Sequence, residues 1–349
     1  MSKNVIMRRQ LIIKMGLICW LSAILTANSV FPQINKSVKP GNPDDWPPEC
    51  QLVYIKSSFD GKLQPAYFYK VPTSEPRPLV VSLHSWSSGY EQRDTLSWMC
   101  IAEKYNYIHP DFRGKNDNPD ACGSPMAIRD IDDAISYALN NAPVSRKEVH
   151  VIGASGGGYA TLMSYMTSNH DIRSFSAWVP VSDLEAWFYQ SLSREPRYAL
   201  EIAKVTTGTD SSSTNLSFDS DEARLRSPIF MKTPVTKRQN SKLIILAGIN
   251  DGYTGSIPIT QSLLFYNKVV KDFAPDSTLY LIPDADIIKM LSYRMIPADR
   301  YPIMDGRKIY YWKNYMDKVF ILIFEGTHEM LPGVALNPVK SPGNVRDDE

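Results

Sequence analysis

The stretch that most limits what this chain can fold into is Gly153-Ala154-Ser155-Gly156-Gly157-Gly158-Tyr159. Before it runs Glu148-Val149-His150-Val151-Ile152, β-branched and apolar, which reads as a buried strand. After it runs Ala160-Thr161-Leu162-Met163-Ser164-Tyr165-Met166, which reads as a helix packed on a sheet. Strand, glycine-bracketed serine and helix form the context of a G-x-S-x-G nucleophile elbow. The turn is so sharp that side chains at positions 153 and 157 would collide. With glycine there, the Ser155 hydroxyl projects above the strand end, and the Gly156 N–H at the helix start points toward a developing oxyanion. Other glycine-rich turns bind phosphates, but the P-loop Gly-Lys pair is missing here, and a dinucleotide fingerprint needs glycine where Ser155 stands. A purely structural turn remains the alternative at this point.

The 349 residues suit one large domain or two small ones. The first residues read differently from the rest. Lys3, Arg8, Arg9 and Lys14 precede an apolar run from Met15 to Ala27, and Ala27-Asn28-Ser29 supplies a small-x-small cleavage signal. We expect a secretory signal peptide over 1–29, a mature start near Val30 and a secreted or periplasmic protein. The apolar run is short for a membrane span, so none is expected in the mature chain. Loss of the leader turns a net charge of +1 into −3, and the remainder has no long basic run, which disfavours nucleic acid as a partner. Cys50, Cys100 and Cys122 remain, and a secreted protein permits disulfides. Cys100 and Cys122, flanking one short strand, are the expected pair. Zinc spacings such as C-x-x-C and H-E-x-x-H are absent, so neither a metal nor a cofactor is expected.

Along the chain, residues 30–48 read as an extended, proline-rich arm. Leu52–Ser57 and Gln64–Val71 flank Asp60-Gly61 as an antiparallel hairpin. From Pro78 onward strands alternate with helices, which predicts a mainly parallel central sheet with helices on both faces: an α/β fold of the α/β-hydrolase kind. The hydrolase domain is expected over 49–340, with a cap inserted at 184–240, an irregular second insertion at 276–318 and a tail at 341–349. Ligands of such sheets bind beyond the carboxyl ends of the strands, where Ser155 lies.

A serine nucleophile needs a base and an acid, in the chain order serine, acid, histidine. Of the five histidines, His84, His109 and His150 precede Ser155, and His170 leaves almost no room for an acid. His328, just past the last apolar strand, is the candidate base. Asp251, directly after Leu243–Ile249, is the candidate acid, to hold the His328 tautomer and stabilise its imidazolium. Asp284, after Leu279–Ile282, is the runner-up. The second oxyanion donor should come from the loop after the third strand, through the backbone N–H of Ser85 or Trp86, beside Gly156. In the cap, Trp187, Phe188, Tyr189 and Tyr198 either line a substrate pocket, with Trp187 and Tyr189 as the contacts, or fill the cap's own core.

With Pro110-Asp111-Phe112-Arg113-Gly114 upstream and Asp251 and His328 downstream, Gly153-x-Ser155-x-Gly157-Gly158-Tyr159 resembles the catalytic domain of prolyl oligopeptidase-like serine hydrolases. The likeness extends over roughly residues 50 to 335, and the sequence also resembles secreted single-domain bacterial members, through Asn250–Gly255 and Phe324–Glu329. It implies Ser155 as nucleophile, Asp251 as acid and His328 as base. The peptidases of the family carry a β-propeller for which this chain has no room, and the 77 positions from Asp251 to His328 exceed the usual interval. The expectation is a secreted serine hydrolase acting through an acyl-enzyme, favoured on carboxylic esters, among them acyl groups on carbohydrates or small molecules. A peptidase of prolyl oligopeptidase type is the alternative, so the substrate is a small molecule, a glycan or a peptide. An inactive, hydrolase-like binding protein is the alternative from another class.

Overall fold

Leu243–Gly248 and Val319–Phe324 are apolar at successive rather than alternate positions, so strands made from them must be covered on both faces. In the computed structural model, which describes residues 46–210 and 216–340, both are buried along their apolar length. The described strands are β1 (Gln51–Lys56), β2 (Leu63–Tyr69), β3 (Arg77–Leu83), β4 (Asn106–Pro110), β5 (Val144–Ala154), β6 (Ser174–Trp178), β7 (Lys242–Gly248), β8 (Ile303–Met304), β9 (Arg307–Tyr315) and β10 (Val319–Phe324). They lie in the order β1-β2-β4-β3-β5-β6-β7-β10-β9-β8. The six central strands, from β4 to β10 in that order, are parallel. β1 and β2 form the expected antiparallel hairpin on one flank, and β9 adds antiparallel to β10 on the other. The fold is the mainly parallel α/β sheet that the strand–helix alternation predicts.

The helices are α1 (Thr95–Glu103), α2 (Pro125–Asn141), α3 (Gly156–Thr167), α4 (Leu184–Leu192), α5 (Pro196–Thr207), α6 (Ser220–Leu225), α7 (Thr260–Phe273), α8 (Asp284–Tyr293), α9 (Pro332–Ala335) and α10 (Asn337–Lys340). Their starts follow from local chemistry. The Asp94 side chain accepts the Leu96 N–H, so α1 begins at Thr95 and leaves residues 90–94 in the preceding loop. Asp183 caps α4 and Asp219 caps α6 in the same way. α3 is buried along nearly its whole length. Its carboxyl end is closed by Arg238, whose guanidinium donates to the carbonyls of Ser164, Tyr165 and Ser168. Ser164 O also accepts the Ser168 N–H at 2.9 Å, so the guanidinium adds donors around the last turn of the helix, where carbonyls run out of intrahelical partners, and Arg238 is itself fully buried.

Apolar burial divides into two clusters. The larger lines both faces of the sheet. The smaller joins α4, α5 and α6 to Trp86, Tyr159 and Met163. The stretch expected as a cap is thus three helices that share a core with the loop after β3 and the start of α3.

Three expectations change. Residues 276–318 are not irregular: they hold α8 and then β9, which extends the sheet. β9 reads poorly from sequence because it is half-buried and carries Lys308 and Lys313 among its aromatics, as a protected edge does. Leu279–Ile282 is a turn and not a strand, and Asp284 opens α8, exposed to solvent. The Cys100–Cys122 pairing also fails. All three cysteines are free and buried; Cys100 sits in the sheet cluster and Cys122 in the cap cluster, where its thiol lies 3.7 Å from the Tyr159 hydroxyl. Burial pushes the Cys50 and Cys122 thiols up to about 12, so both are protonated at neutral pH.

The leader expected over 1–29, the arm up to residue 45, the tail over 341–349 and part of the cap's polar run at 211–215 lie outside the described residues. Where the arm enters the described part, Trp46 stacks on Tyr67 of β2 with ring centroids 4.0 Å apart. Among the described residues no helix is long and apolar enough to cross a membrane.

Candidate active site

β5 ends at Ala154, and the next residue reverses the chain into α3. Ser155 has φ 59° and ψ −120°, a conformation that costs a residue with a Cβ on the order of 1–3 kcal/mol. The two flanking glycines make the turn possible. A Cβ on Gly153 would lie 2.2 Å from the Gly157 carbonyl oxygen, and one on Gly157 would lie 2.1 Å from that of Leu83. The Ser155 N–H donates to Trp178 O at 2.9 Å, which ties the turn to the end of β6. The strain is thus held in place from three strands.

β7 and β10 are parallel neighbours in register, Gly248 opposite Phe324. Asp251 follows the first by three positions and His328 the second by four, so register alone carries both to the same end of the sheet. Asp251 is 1% exposed. Its Oδ1 accepts the N–H groups of Gly252 at 2.9 Å and Ile257 at 3.0 Å. Its Oδ2 accepts His328 Nδ1–H at 2.9 Å. A carboxylate in this position only accepts, so the Nδ1 proton faces Asp251 and the Nε2 lone pair is free for Ser155. The Ser155 hydroxyl donates to His328 Nε2 at 2.9 Å. Ser155, His328 and Asp251 therefore form one unbroken hydrogen-bonded chain, and Asp284 has no part in it.

The loop after β3 packs against the start of α3. An added Cβ on Gly156 would lie 2.2 Å from the Trp86 backbone nitrogen, so the two backbones are in contact beside Ser155. Of the two candidate amides in this loop, Ser85 N–H donates to Gln92 Oε1 at 2.7 Å. Trp86 N–H meets no acceptor among the described residues, and Gly156 N–H, in the first turn of α3, has no intrahelical one. The pair Trp86 and Gly156 thus offers two unspent amide donors next to the Ser155 hydroxyl, and Ser85 is engaged elsewhere. Gln92 could not be found from sequence, because its role depends on its lying in the loop before α1 begins at Thr95. His84 is fully buried and stacks on Phe112 at 3.7 Å, which shapes the base of this loop.

Of the cap aromatics, Trp187 and Phe188 are core, Tyr198 is partly buried against them, and Tyr189 is exposed. Trp187 is 1% exposed, donates its indole N–H to Ser256 O at 3.2 Å and packs edge-on against Trp86 with centroids 4.8 Å apart. Phe188 stacks on Phe218 at 3.9 Å. Tyr189 is exposed and lies against the same Phe218 ring. Trp187 is covered by its own neighbours and so fills the cap's core, while Tyr189 packs on the cap's outer aromatics with one face in solvent. Besides Trp187, two more residues reach from the cap toward the acid's loop. Arg194 donates to Gly255 O at 2.6 Å, and Glu195 accepts the Ser256 hydroxyl at 3.2 Å.

No family model matches the sequence, and no curated protein is similar to it. Solved structures are. The acylaminoacyl peptidase of Pyrococcus horikoshii superposes with a TM-score of 0.52 at 17% identity, over 80% of this chain and 38% of that one. A puromycin-hydrolyzing peptidase of Mycobacterium tuberculosis gives a TM-score of 0.50 at 15% identity, over 84% of this chain and 38% of that one. The chain spans about two-fifths of the length of these structures. At such identities the likeness is one of architecture, and it places this chain in the α/β-hydrolase fold that these peptidases share.

Proposed function

We propose that the chain is a serine hydrolase that forms an acyl-enzyme on Ser155. The observation that carries this is the continuous chain from Asp251 through His328 to Ser155, with both links at 2.9 Å. His328 Nε2 takes the hydroxyl proton as Ser155 Oγ attacks a carbonyl carbon, and Asp251 stabilises the imidazolium that results. The tetrahedral oxyanion is met by the amides of Gly156 and Trp86. His328 then gives its proton to the leaving group, and the same base activates water to release the acid.

Such a triad serves amides and esters alike. Both of the solved structures named above are peptidases, which favours a peptide-type acyl substrate over the carboxylic ester expected from sequence. A panel of N-acylated and unblocked aminoacyl p-nitroanilides, run beside p-nitrophenyl butyrate, tests this. A kcat/KM on the best anilide within about tenfold of that on the activated ester supports a peptidase. Ester turnover with no anilide cleaved overturns it and restores the esterase. Export through a leader over 1–29 belongs to the same proposal, and mass spectrometry of the exported chain should find an N-terminus near Val30.

A further inference from the structure

Trp86 is bound to more than its place in the loop. Its side chain is 2% exposed, and its indole N–H donates to Glu201 Oε2 at 2.7 Å. Glu201 lies on α5, in the middle of the cap. Its carboxyl is half-buried, and burial raises its pKa above the usual carboxylate range. The other carboxylate oxygen faces Arg197 Nε at 3.5 Å, one turn earlier on the same helix. Arg197 in turn donates to the Ser87 hydroxyl at 3.1 Å, on the next loop residue. Two successive loop residues are therefore attached to one helical turn of the cap.

The rest of the loop is tied from the sheet side. Ser85 N–H goes to Gln92, and Trp86 O accepts Asn116 N–H at 2.9 Å. Trp86 N–H is the polar group of that residue with no acceptor among the described residues. An apolar partner would suffice to fill space around an indole. A desolvated carboxylate is costly, and what it adds is a short, directional, charge-assisted bond that fixes one rotamer. Fixing the Trp86 side chain fixes its Cα, and with it the amide that touches Gly156.

We propose that Glu201 is a positioning residue of the oxyanion hole: from the cap it holds the Trp86 indole and so keeps the Trp86 amide aimed beside Ser155. This rests on the serine-hydrolase function proposed above. A donor displaced by about 1 Å loses on the order of 10²-fold in rate, and loss of one side of a double restraint should cost somewhat less.

The test uses the full chain and p-nitrophenyl butyrate, with titration of active sites by a fluorophosphonate. Glu201→Leu should lower kcat about 10- to 50-fold with KM within twofold, because the oxyanion forms only after binding. Glu201→Gln keeps an acceptor oxygen and should recover kcat to within about threefold of the wild type. Trp86→Phe, which keeps a ring and removes the donor, should reproduce the Glu201→Leu loss, and the double variant should lose no more than either single one. Ala199→Gly, a buried change on the same helix, should lower the melting temperature and leave kcat within twofold. Should Glu201→Leu fail to fold, Trp86→Phe and Glu201→Gln decide alone. Equal kcat in wild type, Glu201→Leu and Trp86→Phe would overturn the inference, as would an Ala199→Gly loss matching theirs. A wild type that neither turns over nor is labelled would instead overturn the hydrolase function itself.

Discussion

Replacing Gly156 by alanine is the sharpest way to separate catalysis from folding in this chain. The added Cβ would lie 2.2 Å from the Trp86 nitrogen and 2.4 Å from its Cα. Ordinary contact is about 3.5 Å, so the loop backbone must retreat by roughly 1.3 Å. That displaces one of the two proposed oxyanion donors, and a misplacement of this size costs about 10²-fold or more. The effect on stability is small by comparison. Overpacking costs about 1–3 kcal/mol, with little propensity gain to offset it, because Gly156 is the first residue of α3. The expected signature is a kcat lower by two orders of magnitude or more, with a melting temperature only a few degrees below wild type. Gly333→Ala is the control, because nothing lies within 4 Å of its added Cβ. Hydrolysis of p-nitrophenyl butyrate followed beside a thermal melt reads both quantities. A Gly156→Ala enzyme with kcat within twofold of wild type would refute the assignment of the Trp86 and Gly156 amides.

Asp251→Asn should lower kcat by about 10³- to 10⁴-fold with little change in KM, since an amide facing Nδ1 favours the wrong His328 tautomer, whereas Asp284→Asn on exposed α8 should change neither. Arg238→Met removes donors from the carbonyls that end α3 and should cost about 2–4 kcal/mol in urea unfolding. His109, buried on β4, has its imidazole pushed down to about 3, first by burial and then by the neighbouring His84. The unfolded chain takes up this proton near pH 6.5 and the folded one does not. Stability that is full above pH 6.5 is therefore lost as the pH falls toward 3, by up to about 1.4 kcal/mol per unit. Melts between pH 7.5 and 4.5 should show that decline, and His109→Asn should flatten it.

What could be read from the sequence and what could not follow one physical division. The parallel strands are covered on both faces, so β7 and β10 appear as unbroken apolar runs, and the residues just beyond them, Asp251 and His328, stand out by position. The strained turn at Ser155 shows itself because its neighbours must be glycine. Edge structure leaves no such trace: β9 mixes aromatics with lysines because one side meets solvent. The apolar run Leu279–Ile282 imitates a strand, yet it is a turn leading into α8. The tie from Glu201 to Trp86 spans 115 positions, and that from Ser85 to Gln92 depends on where α1 begins; no local pattern announces either. The cap aromatics are the instructive ambiguity. Composition marks Trp187 equally for a pocket and for a core, and its 1% exposure decides for the core.

The central claim is that Ser155 is a nucleophile activated by His328. It is tested most directly by treating the purified chain with a fluorophosphonate, digesting it and locating the adduct by mass spectrometry. The account predicts stoichiometric labelling of Ser155 in the wild type. It predicts none there in Ser155→Ala, and labelling slowed by about 10³-fold or more in His328→Ala, with both variants folded as judged by their melts. An adduct on another serine, or Ser155 labelled as fast without His328 as with it, would contradict the account.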